Sequence, residues 1–153
     1  RAKTGFVTNV LRGLPDKPVT FVYGSFGDLV PQHDDQAYLS WYPSCLMGFT
    51  PDAGEDVDWY DRILAQFDSE AAYTRSCAAM RQLIPGMEFA DKPVEQRSGP
   101  ILAFARTDIS DPKSELHKRS SFGITQRGGV IAINTGKLTC APGLAEELDS
   151  LVR

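Results

Sequence analysis

The spacing of hydrophobic positions changes twice along this chain. From Val19 to Tyr23 the residues are β-branched and aromatic, bounded by Pro15 and Pro18 before and by Gly24 and Gly27 after. This predicts a strand, with Asp28-Leu29-Val30 starting its hairpin partner. Gln36 to Tyr42 alternates, placing Ala37, Leu39 and Trp41 on one face and Tyr38, Ser40 and Tyr42 on the other. The first set suits a core; the second is semi-polar and suits solvent or the lining of a pocket. Beyond the loop from Pro43 to Gly54 the period lengthens to that of a helix. Val57, Tyr60, Ile63 or Leu64, and Phe67 mark one helix, with Asp56 as its N-cap. Tyr73, Cys77, Met80 and Ile84 mark a second, which Pro85-Gly86 stops. Strand character returns over Met87 to Arg97 and again over Ile101 to Arg106. A polar connection from Thr107 to Lys118 leads to a hairpin, Phe122–Gln126 with Val130–Asn134, turned at Arg127-Gly128-Gly129. The end is helical, with Pro142 in the first turn and Leu144, Leu148 and Leu151 or Val152 as the apolar stripe. Strands outnumber helices and no βαβ alternation occurs. The expected fold is α+β: a mixed or antiparallel sheet with helices packed to one side.

Composition narrows the function classes. The 153 residues suffice for one sizeable core. With 16 basic against 20 acidic side chains the net charge is -4, whereas nucleic-acid binders carry a basic surplus. No run reaches the roughly 20 apolar residues of a membrane span, and the start lacks a signal-peptide pattern. Cys45, Cys77 and Cys140 are far apart with no C-x-x-C pair, which argues against a disulfide scaffold or zinc knuckle and for a reducing, cytoplasmic setting. The chain opens at Arg1 and not at Met, within what reads as a folded segment; it is expected to be part of a longer protein.

Few residues carry chemistry by themselves. His33 reads as a solvated residue of a hairpin turn and His117 as a solvated loop residue, neither with the i, i+4 partner of a helical metal site. Cys77 falls on a helix's apolar stripe and reads as core. Asp108, Ile109, Ser110 and Asp111 lack the remaining ligands of a calcium loop and suit capping and turns. G-x-S-x-G, a P-loop and the dinucleotide fingerprint G-x-G-x-x-G are all absent. Two segments stand out. Thr135-Gly136-Lys137-Leu138-Thr139 links a strand to a helix start, where unpaired amides, a glycine and a lysine suit an anionic or electron-rich group. The same residues equally suit a tight turn with a solvated lysine. Arg106 ends an apolar strand, so its fork meets either a surface carboxylate or a bound one.

At these residues the sequence resembles a known family. Arg106 to Pro112, Ser114 to His117, Gly129 to Ile133 and Thr135 to Pro142 are similar to the C-terminal part of D-amino acid oxidase-like FAD-dependent oxidoreductases, which include glycerol-3-phosphate dehydrogenases and glycine oxidases. Tyr23 to Asp28 and Tyr38 to Pro43 resemble their substrate-domain strands, and the likeness runs from about Val19 to Leu151. It implies a substrate-domain-like region over 1–127 and, over 128–153, a strand and helix that would complete a FAD domain. Carried over, Thr135, Gly136, Lys137, Leu138 and Thr139 would face the isoalloxazine, while Arg106, Tyr38 and Tyr42 would bind a small amine or hydroxy acid or its phosphate. The Rossmann half that holds the rest of FAD is not in this sequence, so the 153 residues alone are expected to bind FAD weakly or not at all and to be inactive. The alternative is a non-catalytic α+β module that binds a small ligand or a protein. A third reading stacks single-stranded nucleic acid on Tyr38 and Tyr42, against which the acidic balance weighs.

Overall fold

A computed structural model describes residues 1–22, 26–51, 58–101, 105–109, 111–117, 123–134 and 140–153. The chain forms two compact units, Arg1–Leu102 and Ala103–Arg153.

The first unit is organised around a strand that the periodicity above passes over. β1 (Ala2–Arg12) is paired along both of its edges, always antiparallel. On one edge lie β4 (Gln36–Trp41), in register Phe6↔Leu39, and then β5 (Leu46–Gly48), with Ala2 opposite Gly48. On the other lie β6 (Glu88–Phe89) and β7 (Glu95–Pro100), the latter in register from Ala2↔Pro100 to Val7↔Glu95. β2 (Val19–Phe21) and β3 (Gly27–Pro31) extend the sheet beyond β4. The expected hairpin partner of the Val19 strand is therefore present. The β3–β4 turn places Asp34 and Asp35 at φ 57° and 56°, so His33 does sit in a hairpin turn.

Even-numbered residues of β1 from Ala2 to Val10 face the core. Phe6, Thr8 and Val10 are buried there together with Ala37, Leu39 and Leu29. Thr4 and Thr8 on that face interrupt the apolar alternation, which masks the strand in the sequence. Both are buried and bonded: Ser98 Oγ lies 2.8 Å from Thr4 Oγ1, and Tyr73 Oη lies 2.6 Å from Thr8 Oγ1.

Two short helices and one long one accompany the sheet. α1 (Tyr42–Cys45) is a single turn between β4 and β5. The expected strand Gln36–Tyr42 thus ends at Trp41, because Pro43 has no N–H for the ladder and its fixed φ suits a first helical turn. α2 (Trp59–Gln66) buries no residue; its expected cap Asp56 and first apolar position Val57 lie outside the described residues. α3 (Ser69–Leu83) buries Tyr73, Cys77 and Met80 as the spacing requires, plus Ala72 and Ser76, and packs onto the Phe6–Leu39 core. Gly86, at φ 88°, ends that helical stretch next to Pro85.

One expected strand is described only in part. Ile101 to Arg106 is not a strand in its described residues; Ala105 has no regular structure and Arg106 lies in a bend. The pairing described on this edge closes with Ile101 N donating to Arg1 O at 2.7 Å, and Leu102, Ala103 and Phe104 lie outside the described residues. Met87 to Arg97 likewise resolves into two strands, β6 and β7.

The second unit contains a 3-10 turn at Glu115–His117, a hairpin of β8 (Gly123–Arg127) and β9 (Val130–Asn134), and α4 (Ala141–Val152). The hairpin turns through Gly128 and Gly129 at φ 56° and 79°, the conformation that glycine tolerates best. Pro142 stands in the first turn of α4 as expected, and Leu144 is buried. The far end of the expected stripe is not: Leu151 and Val152 are 53% and 62% exposed. The fold is α+β, with an open antiparallel sheet. Among the described residues no helix is long and apolar enough to cross a membrane.

Candidate functional site

The sheet of the first unit has two unlike faces. Helix α3 covers one; the other carries the odd-numbered residues of β1 and their cross-strand neighbours. On that second face Lys3 lies opposite Gly99, and Gly5 lies opposite Arg97. The two cations therefore occupy one diagonal of a four-residue block and two glycines occupy the other. Tyr38, opposite Val7, fills the space over Gly5, where a methyl group would overlap its ring. Among the described residues nothing comes within 4 Å of a Cβ built on Gly99. An open cavity of about 260 Å³ results, walled by Lys3, Tyr38, Arg97, Gly99, Pro100 and Ile101.

The electrostatics of this face are set by few groups. Arg97 Nη2 donates to Glu95 Oε2 at 2.7 Å; that bond holds the Glu95 carboxyl below the usual carboxylate range and raises Arg97. Burial pushes the Tyr38 phenol up, opposed by a hydrogen bond from Ser40, so Tyr38 stays a neutral donor at physiological pH. Lys3 Nζ stands 4.7 Å from the centre of the Tyr42 ring, and the Arg1 guanidinium 6.0 Å from the same ring. Arg1 Nη1 also donates to Tyr42 Oη at 3.4 Å.

The expected substrate residues thus divide between the units. Tyr38 lies on the open sheet face and Tyr42 in α1, each beside Lys3; both belong to the first unit. Arg106 belongs to the second. It is exposed, in the bend where the polar connection begins, and lines a shallow depression with Thr107, Asp111, Lys113 and Glu115. That connection is held by local bonds: Ser114 Oγ donates to Thr107 O at 2.9 Å, Lys113 N to Asp111 Oδ1 at 2.9 Å, and His117 Nε2 lies 2.9 Å from Asp111 O. Asp111 acts there as a turn former, the role its short acidic side chain suggested. The expected flavin-facing residues Thr135, Gly136, Lys137, Leu138 and Thr139 lie outside the described residues. A helix does follow them, with Cys140 at its N-cap position.

Sequence reasoning did not single out Lys3, Gly5, Arg97 and Gly99, because β1 went unread and the strand expected over Met87 to Arg97 stops short of Gly99. The alternating Thr4, Phe6, Thr8 and Val10 was the available signal. The cysteines follow expectation in part: Cys45 and Cys77 are buried, and burial pushes the Cys77 thiol up, away from nucleophilic use. Among the described residues no group of three or more His, Cys, Asp or Glu side chains is placed to hold a metal ion. No protein-family model, curated protein or solved structure matches the chain.

Proposed function

We propose that this chain supplies the substrate-binding part of a D-amino acid oxidase-like FAD-dependent oxidoreductase acting on a small amine or hydroxy acid, or its phosphate. The observation that carries the reading is the two-sided sheet. Helix α3 closes one face, and the opposite face keeps an aromatic and cationic surface, Tyr38 with Lys3 and Arg97, suited to a small acid. The sequence resemblance adds Arg106 and Tyr42 to the substrate side and residues 135–139 to the isoalloxazine side. FAD would supply the hydride acceptor; none of these 153 residues forms the glycine-rich pyrophosphate site, so that part of the cofactor would be held by sequence outside them.

The test is the colour and flavin content of the protein expressed from its complete reading frame. Flavin absorbance supports the reading, and a colourless protein overturns it. The 153-residue chain alone is expected to bind FAD with a dissociation constant weaker than about 1 μM by fluorescence titration, because the phosphate contacts are lacking. The alternative, a non-catalytic module for a small ligand, draws on the same face, since a Lys, Arg and Tyr cluster binds an acid without any flavin.

A further inference from the structure

No further inference is drawn: the strongest candidate, the apolar surface of the second hairpin along β9, where Val130 and Ile133 are exposed, carries none, because nothing in the structure shows what covers it.

Discussion

Tyr73 is the side chain that ties helix α3 to the sheet. Its hydroxyl donates to Ala90 O at 2.6 Å, and with that proton committed the Thr8 hydroxyl donates to it, also at 2.6 Å. Its ring meets Phe6 edge-on, with centroids 5.4 Å apart. Tyr73→Phe keeps the ring but removes the donor to the Ala90 carbonyl and leaves the Thr8 hydroxyl only its longer bond to Asn9 O at 3.3 Å, and should cost about 1–3 kcal/mol in denaturant unfolding. Burial raises the Tyr73 phenol far above its ordinary range. A raised folded-state pKa means the unfolded chain loses its proton first. The contribution to stability is therefore full below the ordinary phenol pKa and declines as pH climbs past it. Wild-type stability should fall on the alkaline side above about pH 10, and Tyr73→Phe should flatten that decline. Arg106 is the other residue whose role is open to direct measurement. On the proposed oxidoreductase reading, Arg106→Ala should lower kcat/KM about a hundredfold, roughly 3 kcal/mol, with flavin content unchanged. Arg106→Lys should raise KM and also lower kcat, because it keeps the charge and loses the fork. Kinetics within about threefold of wild type for both would make Arg106 an ordinary surface arginine.

Among the elements, α3 was the most legible and β1 the least. The intervals of four and three through Tyr73, Cys77 and Met80 survive in the structure because a helix facing a sheet buries one stripe, whatever lies opposite. Its start was not read from the sequence. Asp68 caps it, Oδ1 accepting from Ala71 N at 2.9 Å, and Asp68→Ala should lower stability by about 1 kcal/mol in thermal melts. β1 buries residues on both faces over Thr4 to Thr8, so the alternation expected of a half-exposed strand is blurred. The Ile101–Arg106 run has the composition of a strand, but Ile101, Ala105 and Arg106 are not in a strand, and Leu102, Ala103 and Phe104 lie outside the described residues.

For the whole molecule, the core cluster gathered around Phe6, Leu39 and Met80 lies entirely within the first unit. Truncation to residues 1–102 should therefore retain the sheet and α3, read as a cooperative thermal transition; a truncated chain without such a transition would show that the second unit is required for folding. The α+β class was legible from the sequence alone. The change of period from two to 3.6 and back reflects which residues can share a buried face, and that constraint is local to each element. The glycine turn of the second hairpin and the stop at Pro85-Gly86 were legible for the same reason, since backbone conformation there follows from the residue in place. Tertiary structure decided which strand became the spine and what its neighbours were. Backbone hydrogen bonds between strands carry no record of side-chain identity, so nothing near Lys3 announces that β7 will lie beside it or that Gly99 will stand opposite. The candidate site on the open face is a product of that long-range register: Lys3, Tyr38 and Arg97 are ordinary surface residues until β1 brings β4 and β7 to its two edges.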